Sequence, residues 1–192
     1  MVIILTGKSC SGKDSVSRVL EDMGYRGIVS WCSRPKRENE TNGIEYHFCS
    51  KTEFENMVRN NEMIEYRSYN TLYNNNPDTW YYGIKKENLD NNKNYIVILD
   101  LKGARNFINY YGKENCILFY LDASYETRKR RAVNRGSFDI TEWERRALAD
   151  EDDFEMRKIK EMFRLYNGKL IINDTNNIKD ISKIAELINV WR

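Results

Sequence analysis

The first fifteen residues constrain this chain more than any other stretch. Val2-Ile3-Ile4-Leu5-Thr6 is a short apolar run rich in β-branched residues, which reads as a buried parallel strand. Gly7-Lys8-Ser9-Cys10-Ser11-Gly12-Lys13 follows at once, and Ser15, Val16, Val19, Leu20 and Met23 then open a helical period. Strand, glycine-bounded loop, lysine and helix is the order that a phosphate-binding loop requires. The two glycines let the backbone curl so that successive N–H groups point inward at an anion. The helix N-terminus adds partial positive charge, and Lys13 is placed to reach β/γ-phosphates. Asp14 departs from the pattern, because a Ser or Thr hydroxyl normally meets Mg²⁺ at that position.

Such a loop needs a sheet and helices around it, and 192 residues suffice for one core with inserted lobes. A net charge of only +2 gives no bulk electrostatic argument for nucleic acid or an acidic membrane surface as partner. The N-terminal apolar run is too short to span a bilayer and ends in the loop, so neither a membrane span nor a signal peptide is expected. Cys10, Cys32, Cys49 and Cys116 form no C-x-x-C pair, and His47 is the only histidine. That spacing argues against a zinc site and a disulfide framework and for reduced thiols in a cytoplasmic protein.

Further along, Ser15–Met23 reads as a helix closed by Gly24, and Tyr25–Ser30 as a short strand. The basic segment from Ser33 to Gly43 carries Arg34 and Arg37, two guanidinium forks able to grip a phosphate. Ile44–Phe48 alternates like a strand, Thr52–Asn60 reads as a helix and Glu62–Arg67 as a strand. Ser68–Thr79 is polar and Asn-rich and reads as a loop or insertion, followed by an aromatic strand at Trp80–Gly83 and a polar helix over Lys85–Asn92. Tyr95–Asp100 and Cys116–Leu121 are apolar strands around a helix at Gly103–Tyr111. From Ser124 the chain turns charged and helical, with a second helix from about Thr141 running toward Tyr166. Leu170–Ile172 is a last strand, and Ile178–Trp191 closes the chain as an amphipathic helix. This α/β order predicts a parallel sheet sandwiched by helices, with two excursions.

The run Ser30 with Ser33-Arg34-Pro35-Lys36-Arg37-Glu38-Asn39-Glu40-Thr41-Asn42-Gly43-Ile44-Glu45-Tyr46-His47-Phe48 resembles the guanylate kinases, which show a Ser and T-T-R-x-x-R-x-G-E-x-x-G-x-x-Y-x-F there. The resemblance continues through Asn61–Tyr66, Tyr81-Tyr82-Gly83, Asp100–Gly103, Asn134-Arg135-Gly136 and Asn173-Asp174. It implies a P-loop three-layer αβα core (1–32, 93–124 and 167–192), an inserted α+β nucleoside-monophosphate-binding lobe (33–92) and a helical lid with its following helix (125–166). It further implies ATP-dependent phosphorylation of GMP or dGMP by in-line transfer with Mg²⁺. ATP would be held by Gly7, Lys8, Ser9, Cys10, Ser11, Gly12, Lys13, Asp14, Ser15 and Asn173, with Asp14 at the metal. GMP would be held by Ser30, Arg34, Arg37, Tyr46, Glu65, Tyr82 and Asp100, of which Ser30 and Glu65 would read the guanine. Lys13, Arg131, Arg135 and Arg146 would stabilise the charge of the transferring group. Arg128, Lys129, Arg130 and Arg145 are expected on solvated faces of the lid helices.

Four departures from the family pattern bear on base selection and metal handling: Asp14, Ile84 in place of a polar residue beside the guanine, Ile98 in place of an acid, and Lys102 in place of Gln. With the longer 68–79 stretch they leave room for a kinase of another (deoxy)nucleoside monophosphate. A non-catalytic guanylate-kinase-like binding module is a further alternative, against which the intact Gly7, Gly12 and Lys13 stand. Small nucleotides are the expected partners, nucleic acid and membrane are not, and the sequence fixes no oligomeric state.

Overall fold

A computed structural model of the chain describes residues 1–38, 40–73, 76–134, 138–175 and 177–191. They divide into two compact units, residues 1–27 with 91–192, and residues 28–90.

The first unit is built on a five-stranded parallel sheet with β1 (Val2–Thr6) at its centre. β1 is buried along its whole length, as its unbroken apolar run demands of a strand covered on both faces. It pairs with β7 (Tyr95–Ile98) on one side and β8 (Cys116–Asp122) on the other. β2 (Arg26–Gly27) and β9 (Lys169–Ile172) complete the order β2-β7-β1-β8-β9. Alternate residues face opposite ways. Ile3, Leu5, Phe119 and Leu121 meet Val16 and Leu20 of α1 (Lys13–Asp22) and Ala185 and Ile188 of α7 (Ile178–Val190). Helices α3 (Leu101–Tyr111) and α6 (Met156–Tyr166) also pack on the sheet and on each other. After β8 the chain of this unit continues through α4 (Tyr125–Asn134) and α5 (Ile140–Asp153).

The second unit has a four-stranded sheet in the order β4-β3-β6-β5. Its strands are β3 (Trp31–Cys32), β4 (His47–Phe48), β5 (Met63–Tyr73) and β6 (Asn76–Lys85). Helix α2 (Lys51–Arg59) starts with a capping box between Ser50 and Glu53 and buries Phe54 and Met57 against Met63.

Four sequence expectations are corrected. Ser68–Thr79 is not a loop: apart from residues 74 and 75, which lie outside the described set, it forms the outer part of the β5–β6 hairpin. Cross-strand rings hold it, Tyr69 on Tyr82 at 5.7 Å and Tyr73 on Trp80 at 6.1 Å between centroids. Pro77 fits because, among the described residues, β6 has only β5 as partner there. Of Tyr25–Ser30, only Arg26 and Gly27 find ladder partners, Tyr95 and Ile96. Lys85–Asn92 forms no helix, since Leu89 is its only apolar residue and Lys86 instead donates its N–H to Glu62 O at 2.7 Å. The helix from Thr141 to Tyr166 is two helices, α5 and α6. Asp150, Glu151, Asp152 and Asp153 crowd the negative end of α5, and Phe154 turns inward onto Tyr120 at 5.7 Å.

Candidate functional site

In the first unit the chain leaves β1 and curls through three residues at positive φ before α1 begins: Gly7 (147°), Cys10 (59°) and Gly12 (98°). Neither glycine position has room for a side chain. A Cβ on Gly7 would lie 2.2 Å from Leu121 O, and one on Gly12 would lie 2.3 Å from Asn173 Nδ2. Ser11 N–H closes the turn onto Lys8 O at 3.2 Å. Lys13, the first residue of α1, folds back to donate to Gly7 O (2.6 Å) and Lys8 O (2.9 Å). Asp14 and Ser15 occupy the exposed first turn of the helix, where a carboxylate is favoured by the helix dipole. The Ser11 hydroxyl is fully buried and has no hydrogen-bond partner among the described residues.

Two predicted residues from distant parts of the chain meet this loop. Arg131, in the last turn of α4, donates to Cys10 O at 3.1 Å, to Asn173 O at 2.8 Å and to Thr175 O. Asn173, just after β9, is 1% exposed and donates through Nδ2 to Ser11 O at 2.9 Å. Arg146 is exposed on α5, and Arg135 lies outside the described residues. Asp100 is the N-cap of α3, its carboxylate accepting the Gly103 N–H at 2.6 Å.

In the second unit Arg34 is 5% exposed and forks onto Glu40, with Nη1 on Oε2 at 2.7 Å and Nη2 on Oε1. Nη1 also donates to Pro35 O at 2.9 Å. The Arg34 fork pushes the Glu40 carboxyl down to about 2, and Glu40 in turn keeps Arg34 firmly protonated. Glu40 Oε2 also accepts the backbone N–H of Arg37, whose own side chain is exposed. The guanidinium lies over the rings of Tyr46 and Phe48, at 5.3 and 5.4 Å from their centroids. Tyr46 packs edge-on against Tyr82 at 5.7 Å. Burial raises the Tyr82 phenol above its ordinary range, so it stays a hydrogen-bond donor at neutral pH. Glu65, 8% exposed, stands directly across the hairpin from Ile84, and Arg67 across from Tyr82, so the four share one sheet face. Arg67 Nη1 lies 3.5 Å from Glu65 Oε2. Ser30 is half-buried, and its carbonyl accepts the His47 N–H.

The guanylate kinase family profile matches residues 1–183. The chain belongs to the guanylate kinase family. The guanylate kinase of Salinibacter ruber is 33% identical over 178 residues, covering 90% of this chain and 87% of that protein. That of Clostridium tetani is 34% identical over 142 residues, 71% of this chain and 64% of the relative. A crystal structure of guanylate kinase from Anaplasma phagocytophilum shares the fold, with a TM-score of 0.62 at 19% identity over 100% of this chain and 85% of that one. Phosphorylation of GMP is the known function of the guanylate kinase family, and this member is an enzyme of that class.

Beside the family's motif residues, the structure adds groups that sequence reasoning missed. Arg128 is 2% exposed and paired with Asp150 at 3.2 Å, so it does not sit on a solvated face with Arg130 and Arg145. Asp150 and Ser9 are joined by two hydrogen bonds. Nothing in the spacing marks these contacts, because 141 residues separate Asp150 from Ser9 and Asp150 is only the first of four consecutive acids, Asp150 to Asp153. Glu40 did stand in the motif run, and only its pairing with Arg34 was unread. Among the described residues no helix is long and apolar enough to cross a membrane.

Proposed function

We propose that this guanylate kinase family member transfers the terminal phosphoryl group of ATP to GMP or dGMP, with the donor phosphates on residues 7–15. The observation that carries this reading is the loop itself. Both glycine positions are too tight for a side chain, and Lys13 is folded over the loop's own carbonyls. A phosphate is a stronger partner for the Lys13 ammonium than the two backbone carbonyls it donates to, and the buried Ser11 hydroxyl beside Gly7 is a donor without an acceptor among the described residues. Lys13, Arg131, Arg135 and Arg146 then supply positive charge to a reaction in which positioning and electrostatics do most of the work.

Mg²⁺ fits this donor set as an ion carried with the nucleotide. Among the described residues no group of three or more His, Cys, Asp and Glu side chains forms a cage, and Mg²⁺ characteristically takes one or two protein oxygens together with phosphates and water. Asp14 offers a hard carboxylate oxygen, with the Ser15 hydroxyl beside it. When bound, the ion neutralises charge on the phosphates.

On the acceptor side, Arg34, Arg37, Tyr46 and Tyr82 take the GMP phosphate. Among the described residues, Arg34 donates to Glu40 and Pro35 through three of its five N–H groups, which leaves its Nε–H and second Nη2–H for that purpose. Glu65 reads the guanine N1–H and exocyclic amine, with Ser30, and Asp100 completes the acceptor set. One observation favours a second reading, a kinase for another (deoxy)nucleoside monophosphate: Ile84, 1% exposed, presents hydrocarbon directly across from Glu65. A cytoplasmic location belongs to the same proposal and is supported by four free thiols.

A coupled ADP-release assay over GMP, dGMP, AMP, CMP and UMP tests the acceptor, and Lys13→Ala tests the donor loop. GMP or dGMP should be turned over far faster than the others, because a buried carboxylate facing adenine loses its donors. Lys13→Ala should keep the far-ultraviolet spectrum and lower the rate on the order of 10²–10³-fold. Equal turnover of AMP would assign Glu65 another role, and retained activity in Lys13→Ala would make the loop structural.

A further inference from the structure

One buried contact in the first unit has no part in the reaction described so far. Asp150 of α5 is 8% exposed, and both of its carboxylate oxygens are engaged on the phosphate loop. Oδ2 accepts the Ser9 backbone N–H at 2.8 Å, and Oδ1 accepts the Ser9 hydroxyl at 3.2 Å. Arg128 of α4 donates through Nη1 to Asp150 Oδ2 at 3.2 Å, and its Nη2 lies 3.6 Å from Glu151 Oε1. The same guanidinium sits 5.9 Å from the ring centroids of both Tyr125 and Trp143. A second tie runs alongside, from Lys8 Nζ to Glu151 Oε1 at 2.5 Å.

We infer that Asp150, held by Arg128, is a positioning residue for phosphoryl transfer, fixing the Ser9 end of the phosphate loop and setting α5 against it. Ser9 and Cys10 are the two central residues of the turn closed by Ser11 N–H on Lys8 O, and Cys10 is a non-glycine at φ 59°. A turn that places a side-chain-bearing residue in the left-handed region persists only when its surroundings over-determine it. Arg131 and Asn173 grip the loop by its carbonyls, and Asp150 grips it by an N–H and a hydroxyl. The loop is thus held from both polarities. The tie also bears on Arg146, which precedes Asp150 by four residues on α5 and so lies on the same helix face. A carboxylate that fixes α5 to the loop therefore fixes the position from which Arg146 acts. Arg128 makes the arrangement stiff, because moving Asp150 away would strand a buried guanidinium.

The inference rests on reading residues 7–15 as the ATP phosphate site, and the test separates the two. Asp150→Asn keeps an acceptor for the Ser9 N–H but strands the Arg128 charge. The double variant Arg128→Met, Asp150→Leu removes both charges together and is expected to fold whether or not the single one does. ATP and GMP, each with Mg²⁺, are titrated calorimetrically into wild type, both variants and Lys13→Ala, and KM and kcat are measured beside melting temperature. The double variant should melt near the wild type, lose about tenfold to a hundredfold in ATP affinity and kcat, and keep its GMP affinity within about twofold. Unchanged ATP affinity and kcat in the folded double variant would make the pair merely structural. Tighter ATP binding would mean that the carboxylate competes with phosphate, and either result overturns the inference. If Lys13→Ala abolishes ATP binding while the folded double variant binds ATP as tightly as the wild type, only this inference falls. If Lys13→Ala binds ATP normally, the phosphate-loop reading falls with it.

Discussion

Arg34 and Glu40 show how a charge can be kept ready inside a protein. A guanidinium that is 5% exposed needs a counter-charge to remain buried, and Glu40 supplies it through two of the fork's N–H groups. The folded-state value of Glu40 is depressed from 4.5 to about 2. Its contribution to stability is therefore complete above 4.5 and is lost as pH falls through about 2. Glu40→Gln should cost about 2 kcal/mol at neutral pH, since a neutral acceptor replaces a charged one. The deficit should close progressively in acid, where wild-type Glu40 becomes protonated as well. Urea unfolding across a pH series reads this directly, and a deficit independent of pH would mean that the carboxylate charge is immaterial. At this scale the sequence was most legible where chemistry is written in consecutive residues. The loop from Gly7 to Ser15 and the run from Arg34 to Tyr46 are examples. It was least legible for Arg128 and Asp150, whose partnership exists only after α4 and α5 have folded against the loop.

Among the elements, the β5–β6 hairpin departs furthest from what its composition suggests. Asn, Pro and Asp in Ser68–Thr79 carry the chemistry of turns, yet alternate aromatic residues pair across the strands and outweigh it. The same hairpin contains a tight spot at Gly83. A Cβ there would lie 2.4 Å from Glu65 O, 2.8 Å from Met63 Cε and 2.9 Å from Tyr66 Cβ. Gly83→Ala should therefore destabilise the protein by about 1–3 kcal/mol. By displacing the backbone of Glu65 it should also raise KM for GMP while leaving that for ATP close to wild type. Thermal melts with steady-state kinetics on both substrates check this, and equal changes for the two nucleotides would point to general unfolding instead. Strands β1, β7 and β8 of the first unit were readable because a sheet covered on both faces demands unbroken apolar runs. The false helix at Lys85–Asn92 arose from the opposite situation, a polar segment with one apolar residue and no face to bury.

At the level of the whole molecule, the order of contacts along the chain differs sharply between the units. β5 and β6 are consecutive and pair over most of their length, whereas both neighbours of β1 come from beyond residue 94. Closing a long loop precedes any reward from such pairing, and local hairpins form in about 1–10 μs. Amides of β5 and β6 should accordingly gain protection before those of β1 and β7 during refolding, as read by pulse-labelled hydrogen exchange. Simultaneous protection would mean that both units fold as one.

The brace on the Gly7–Lys13 loop has a consequence during biosynthesis. Residues 7–13 leave the ribosome more than a hundred residues ahead of Arg131 and Asn173, whose side chains hold Cys10 O and Ser11 O. Until Arg131 and Asn173 have been made, a nascent chain thus carries the letters of the proposed nucleotide site without owning the site. Prematurely terminated products that stop before residue 173 would expose a slack loop and leave the cell's ATP alone.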